Sequence, residues 1–590
     1  MDIFSILSMI GGLALFLYGM NAMGDSLVML SGGKLERILE KLTEKRIMAL
    51  LLGAFVTAII QSSSATTVMV VGFVNSGIMK LTQAVGVIMG ANIGTTITSW
   101  ILSLTGISSS SIVLQMLKPT SFSPILAGIG IICIMTGKDG SRKKTVGNIL
   151  LGFAILMFGM DMMSSAVAPL KNNPAFTGML TAFSNPILGL IAGAVLTAVI
   201  QSSSASIGIL QALCISGAVS YGTAIPIIMG QNIGTCVTAI ISSAGASKNA
   251  KRTAFIHLYF NLIGTVVFMI AFYALNSVLD FAFMSTAASA ASIALIHSLF
   301  NIGCVILLFP FANHLVKLAT LTVRSREDQP EESEEPAPLA ALDERFLDSP
   351  AFTIQLCKNA VVEMAALSRK AILLAMEVHD TYSDEKVDEV IHLEQTVDHF
   401  EDVIGTYLVK LSGRDLRKED SHLLSLLLHS LSDFERISDH AINLAETARK
   451  MHDQNLAFSP QGKAELDSLS VAIRDIMNIT ATAFTTSDTV KAGEVEPLEE
   501  VIDDLVKEMK LRHIARLRGG ICSIETGIHL EDTLTNYERV ADHCSNIAVT
   551  MIEVRSDMLD MHQYLDAKVK GSDPHFRREF DRLKQVYILP

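Results

Sequence analysis

A Gln-Ser-Ser-Ser cluster interrupts an apolar stretch at Gln61–Ser64, and the same cluster interrupts another at Gln201–Ser204, 140 residues on. The offset holds on either side. Gly53–Ala65 matches Gly193–Ala205, and the Asn-Ile-Gly-Thr of Asn92–Thr95 matches Asn232–Thr235. Gly19-Met20-Asn21 falls on Gly159-Met160-Asp161. Three separate segments in one register, without insertion or deletion, mark an internal duplication, so this part of the chain folds as two copies of one unit.

A helix needs roughly 20 apolar residues to cross a bilayer core. Candidate spans are 5–28, 84–105, 122–137, 145–168, 223–243, 253–277 and 288–312. Two further stretches, 47–79 and 187–219, are the ones broken by the Ser-rich clusters. Residues 1–323 carry 16 Lys/Arg and 8 Asp/Glu, too few for a single water-soluble domain, whereas residues 324–590 carry 30 and 51. That acidic second half argues against a nucleic-acid partner. The seven scattered cysteines include no Cys-x-x-Cys, which excludes a disulfide framework and a Cys-based zinc site. The start, Met1-Asp2-Ile3-Phe4, has no basic region before its apolar stretch and reads as a retained span.

Charge decides whether the copies are parallel or inverted. Copy one follows its first span with the basic stretch Lys34–Arg46, whereas the matching Pro174–Pro186 has no charge. Basic loops favour the cytoplasm, so the equivalent loops belong on opposite sides. With each Ser-rich segment as a re-entrant hairpin, Lys34–Arg46, Lys80, Lys138–Lys144, Lys248–Arg252 and Lys317 all fall inside. Only Lys118 and Lys171 stay outside, 14 basic residues against 2. Treating both segments as full crossings spoils that bias. The sequence predicts an all-α polytopic membrane domain over 1–323, with inverted repeats at about 5–137 and 145–277 and a final span at 288–312. The N-terminus lies outside and the C-terminal half in the cytoplasm, which places the chain in the cytoplasmic (inner) membrane.

Non-helical backbone survives at membrane depth only where protein or a water-filled site satisfies it. Paired breaks in inverted repeats usually place the substrate near the midplane. Each break here offers three hydroxyls, an amide and helix-terminal N–H groups, donors suited to a compact oxyanion. The candidate substrate-binding residues are Gln61, Ser62, Ser63, Ser64, Gln201, Ser202, Ser203 and Ser204, with Asn92 and Asn232. Serine in membrane helices often only permits close packing, but two identical clusters at equivalent positions argue for a site. No Lys or Arg falls in the predicted core, so a doubly charged anion there calls for co-bound cations. Without a P-loop, secondary transport is the default.

The doubled Gln-Ser-Ser-Ser and paired Asn-Ile-Gly-Thr segments resemble the type II sodium/phosphate cotransporters and their bacterial relatives, over roughly residues 1–315. The resemblance implies that Gln61–Ser64 and Gln201–Ser204 are hairpin tips holding phosphate and sodium. Asn92, Thr95, Asn232 and Thr235 would line adjoining broken helices, and Thr66, Thr95 and Thr235 are the candidate Na+ ligands. Ser206 and Ile207 stand where copy one has Thr66 and Thr67, so the halves need not bind ions alike. His257–Asn261 and His297–Asn301 correspond to a His-x-x-Phe-Asn pattern of the family, and their simpler reading is interhelical hydrogen bonding.

Arg324–Pro350 holds six acids between Glu327 and Glu335, with Pro330, Pro336, Pro338 and Pro350, and reads as a flexible tether. From 351 apolar residues recur at helical spacing, which predicts a helical bundle. It too is duplicated: Asp433–His440 resembles Asn536–His543 at an offset of 103. Glu435 and Asp439 extend the apolar line of Leu427 and Leu431, as Glu538 and Asp542 extend that of Leu530 and Leu534. Both acid pairs should therefore face a packed neighbour, where a cation would relieve their repulsion. The pattern resembles PhoU-type domains over about 351–565. That implies regulation of phosphate flux, with Glu394, Asp398, Glu435, Asp439, Glu499, Asp503, Glu538 and Asp542 as candidate ligands of a divalent metal.

These readings converge on sodium-coupled transport of inorganic phosphate, regulated by a soluble, cytoplasmic PhoU-like domain over 351–590 that offers a surface for a homodimer or a regulatory partner. The alternatives are a non-transporting phosphate receptor, a carrier of another small anion, and a phosphate exporter. Neither His-Glu-x-x-His, Gly-x-Ser-x-Gly nor a phosphate-transfer motif occurs, so the chain does not read as an enzyme.

Overall fold

The computed structural model describes residues 3–590 apart from 32–33, 35–37, 40–44, 107–118, 139–140, 170–177, 179–181, 216, 325–335, 348, 415 and 556–573. Most of the Lys34–Arg46 and Pro174–Pro186 loops, Lys118, Lys171 and the Glu327–Glu335 run lie outside the described residues. Those described are all-α, with one isolated bridge, Ser220 to Ala287. The chain forms two compact units, Met1–Phe352 and Thr353–Pro590.

Among the described residues of the first unit, 6 helices are long and apolar enough to cross a membrane. They cover Phe4–Ser31, Leu81–Gly106, Arg142–Val167, Tyr221–Ser242, Lys248–Leu279 and Ala290–Thr322. In chain order the elements are α1 (Ile3–Ser31), α2 (Arg46–Ile60), α3 (Ser63–Asn75), α4 (Leu81–Ser103), α5 (Pro119–Thr136) and α6 (Arg142–Val167). Copy two continues with α7 (Pro186–Ile200), α8 (Ser203–Ile215), α9 (Tyr221–Gly234), α10 (Cys236–Ser242) and α11 (Lys248–Leu279). Then come α12 (Ala290–Leu308), α13 (Ala312–Thr322) and the single turn α14 (Ala337–Ala340).

The stretch 122–137, expected as a span, falls on α5, Pro119–Thr136, an apolar helix of 18 residues. At about 1.5 Å per residue it reaches roughly 27 Å, close to the thickness of a bilayer core. A difference between the copies concerns the Asn-Ile-Gly-Thr segments. In copy two the helix is interrupted at Thr235, between α9 and α10, but α4 runs unbroken through Asn92–Thr95. Thr235 keeps a right-handed φ of −61° and its N–H still reaches the Gln231 carbonyl at 3.2 Å, so the interruption does not turn the chain.

Glycines set the packing. A Cβ on Gly19 would stand 2.3 Å from Leu156 N, and one on Gly159 2.3 Å from Phe16 N, so α1 and α6 meet backbone to backbone. The same device appears in both copies at one offset. A Cβ on Gly53 would come within 2.2 Å of the Val87 carbonyl oxygen, and one on Gly193 within 2.1 Å of that of Ile227. Hence α2 lies on α4 as α7 lies on α9, and the duplication extends from sequence into packing.

The expected tether is folded from Pro336 onward. Leu339, Phe346 and Leu347 are 2%, 1% and 6% exposed, because apolar anchors resume where the acidic run ends.

The second unit is built from α15 (Pro350–Asp380, which begins in the first), α16 (Asp384–Ser412), α17 (Lys418–Asp453), α18 (Pro460–Thr486) and the short α19 (Thr489–Ala492). It ends with α20 (Val495–Arg518), α21 (Ile524–Arg555) and α22 (Pro574–Val586). On α17 the buried stripe Leu427, Leu431, Phe434, Ile437, Ala441 and Leu444 follows helical spacing and packs on α21, which presents Leu530, Leu534, Tyr537 and Ala541. α18 starts at Ser459-Pro460, where the serine side chain accepts from Gly462 N.

Candidate functional site

Both Ser-rich clusters break the helix in the same way. Gln61 and Gln201 adopt left-handed φ angles of 62° and 58°. For a residue with a Cβ this costs about 1–2 kcal/mol, and it recurs at equivalent positions. Each Gln N–H closes the preceding helix onto a threonine carbonyl, Thr57 at 2.8 Å and Thr197 at 2.7 Å. The next residue starts the following helix. Ser62 Oγ accepts from Ala65 N at 3.1 Å, and Ser202 Oγ from Ala205 N at 3.2 Å. Ser62 and Ser202 are thus caps first. Thr66 is a brace, receiving Thr57 Oγ1–H at 3.0 Å and donating to the Ser62 carbonyl at 3.1 Å.

The two breaks meet. Ser63 Oγ and Ser203 Oγ, at the first residues of α3 and α8, are 3.5 Å apart, and both residues are buried. Ser64 Oγ lies 3.5 Å from the Gln201 carbonyl oxygen and 3.4 Å from Thr238 Oγ1. These separations are long for O–H···O bonds, so the contacts hold Ser63, Ser64 and Ser203 only weakly, whereas Thr238 Oγ1 donates to the Thr235 carbonyl at 2.8 Å. Two helix N-termini converge on one spot, each with roughly half a positive charge and free N–H groups. No Lys or Arg occurs in α3, α4, α8 or α9. The arrangement suits a small oxyanion held by dipoles and hydroxyls.

Asn92 and Asn232 are buried and donate back to their own helices, to the Ile88 and Ile228 carbonyls at 2.9 and 3.0 Å. Thr95 and Thr235 do likewise, to Ala91 at 3.0 Å and Gln231 at 2.9 Å. None of these four is hydrogen-bonded to a tip. Several buried oxygens that the sequence did not single out lack a hydrogen-bond partner: Thr197 Oγ1, Gln211 Oε1 and Gln231 Oε1, along with those of Gln61 and Thr67. Gln211 donates to the Ser99 and Ala290 carbonyls at 3.0 Å, and Gln231 to Ser206 Oγ at 2.8 Å. Their signal was a mismatch within the duplication, since Val71 and Ala91 occupy these positions in copy one. His297 bridges helices as expected, with Nδ1 2.8 Å from Ser99 Oγ. Asn261 and Asn301 bond the backbone oxygens of His257 and His297.

In the second unit, Glu499, Asp503 and Asp542 bring carboxylate oxygens within 4.8 Å of one another. Burial, then Glu496 and Asp503, pushes the Glu499 carboxyl up to about 9. Oxygen donors this close fit a divalent cation. Glu538 does not join them; it lies 3.5 Å from Lys510 Nζ. Among the described residues Glu394, Asp398, Glu435 and Asp439 form no equally tight trio, although burial and then Asp439 push Glu435 up to about 7. The acid pairs expected to face a packed neighbour are half-buried, and Arg436 and Arg539 each reach their Asp, Asp439 and Asp542, at 3.2 Å. Glu496, missed in the sequence, sits in this acidic group and accepts from Ser545 Oγ.

The sequence profile described as "Na+/Pi-cotransporter" matches residues 15–165 and again 155–306, and the one described as "PhoU domain" matches 361–448 and 466–551. "Putative inorganic phosphate export protein YjbB" of Salmonella typhimurium is 24% identical over 93% of this chain and 98% of its own length. "Uncharacterized protein YqeW" of Bacillus subtilis is 31% identical over 53% of this chain and 96% of its own. Human "Sodium-dependent phosphate transport protein 2B" is 33% identical over 23% of this chain and 22% of its own. The chain is a helical membrane protein that belongs to the Na+/Pi-cotransporter family and carries a duplicated PhoU domain.

Proposed function

We propose that this chain is a sodium-coupled secondary transporter of inorganic phosphate in the cytoplasmic membrane. Phosphate binds where α3 and α8 begin, held by Ser63, Ser64, Ser203, the free N–H groups of both helices and Gln61 and Gln201. The observation that carries this reading is the 3.5 Å approach of Ser63 and Ser203 at two facing helix N-termini, in a region without Lys or Arg. An anion so placed keeps a net negative charge, and the unpartnered oxygens of Gln61, Thr67, Thr197, Gln211 and Gln231 suit the cation that would balance it. Thr66, Thr95 and Thr235, with Asn92 and Asn232, stand behind the tips as further oxygen donors. The segments α2–α3 and α7–α8 are re-entrant hairpins of an inverted repeat, with the N-terminus outside and the PhoU-like half in the cytoplasm, where it regulates flux.

The relative named for phosphate export matches nearly the whole chain, which favours a second reading in which the same site runs outward. Binding tests the site for either direction. Phosphate is expected to bind the detergent-solubilised protein at least about tenfold more tightly in Na+ than in choline, by isothermal titration. Equal affinity in the two salts would remove sodium from the site.

A further inference from the structure

Asn75, the last residue of α3, is a junction. Its Nδ2 donates to Asp343 Oδ2 at 2.7 Å, and its Oδ1 accepts from Ser247 N at 2.8 Å. Arg345 Nε donates to the Ser242 carbonyl at the end of α10, at 2.9 Å, while its guanidinium pairs with Asp343. Phe346 stands over Gly72 of α3, where a Cβ would come within 2.9 Å of the ring. Phe346 packs with Phe73 and Phe352, ring centroids 5.2 and 5.3 Å apart, and both Phe346 and Phe352 are 1% exposed.

The helices gripped here are the ones that reach the anion site at their other parts. α3 begins at Ser63, and α10 carries Thr238, whose hydroxyl lies 3.4 Å from Ser64 Oγ. A 13-residue helix is a rod of roughly 20 Å, so what holds Asn75 also limits how Ser63 and Ser64 can move. Copy two is built differently. The glycine of α8 that receives a ring is Gly208, and the ring is Phe16 of α1. On α3 the ring comes from beyond the last span, from the segment that runs through Phe352 into α15 and the PhoU-like half. A cleft of about 500 Å³ beside it, lined by Asn75, Leu339, Asp343 and Arg345 among others, leaves room for movement.

We propose that residues 339–346 are a latch on α3 and α10, closed in this structure and released in each transport cycle. Asp343, Arg345 and Phe346 are then positioning residues for phosphate passage, and the latch is the route by which the PhoU-like half acts on the site. The latch rests on the transport reading. A double variant, Asn75→Cys with Asp343→Cys, joined by a short reducible bis-thiosulfonate reagent in proteoliposomes, tests it. Cross-linking is expected to lower phosphate flux at least tenfold relative to the same double variant before cross-linking, with recovery on reduction, while phosphate binding stays within twofold and the reagent does not change the flux of either single-cysteine variant. Unchanged flux after cross-linking makes the contact a static support and overturns the latch, as does parallel loss of binding and flux. A chain that moves no phosphate before cross-linking refutes the transport reading and the latch with it. If the double variant does not fold, amide exchange on the unmodified full chain decides. Sodium phosphate should change the exchange of peptides covering 339–347 at least threefold, and identical exchange overturns the latch.

Discussion

Replacing both Ser63 and Ser203 with alanine is expected to weaken phosphate binding about 100-fold, and either change alone about tenfold. The two hydroxyls face each other at 3.5 Å, buried and weakly engaged, so both are ready to donate to an anion. A hydrogen bond to a charged group contributes about 1.5–3 kcal/mol, and about 1.4 kcal/mol is a factor of ten. The fold should survive, because neither hydroxyl caps a helix. Ser62→Ala supplies the contrast. Ser62 Oγ accepts from Ala65 N, so its loss should cost about 1 kcal/mol of stability and change phosphate affinity less. Titration calorimetry beside thermal melting separates the two effects. A double variant that binds phosphate normally would remove the helix tips from the mechanism.

Manganese or magnesium at about 100 times its dissociation constant is expected to raise the melting temperature of the second unit by roughly 5–10 °C. Glu499, Asp503 and Asp542 hold oxygens within 4.8 Å of one another. Burial is the main reason that Glu499 holds its proton up to about 9, with Glu496 and Asp503 next. Burial likewise raises Asp542, against the pull of Arg539. A divalent cation offsets this repulsion in the folded protein and has no preformed site in the unfolded chain. Asp503→Asn should remove most of the rise. Scanning calorimetry of the full chain in chelator and then in metal is the check, and an equal rise in the variant would place the metal elsewhere.

The break geometry was legible because its determinants are local. A polar cluster after Ile60 and Ile200 cannot continue an apolar helix cheaply, and the structure turns left-handed at Gln61 and Gln201. The convergence of α3 and α8 was legible only through the duplication, since nothing local tells Ser63 of Ser203. Three features were not legible. Gln211 and Gln231 depart from Val71 and Ala91 of copy one, but that mismatch carries no role until tertiary packing buries them beside Ser99 and Ser206. The fold of residues 336–347 depends on the room left by Gly72, and a composition rich in acid and proline hides the anchor Phe346. The acidic trio is smaller than the expected set, and Glu538 lies beside Lys510 instead, because which carboxylates meet is decided by how the helices pack.

The most direct measurement is radiolabelled phosphate flux in proteoliposomes of the purified full chain, under an imposed Na+ gradient and under a K+ gradient of equal size. Phosphate movement down the Na+ gradient, several-fold above the K+ control and abolished in the Ser63→Ala/Ser203→Ala variant, is the predicted result. Phosphate that binds but crosses in neither gradient would contradict the account and make the membrane half a receptor.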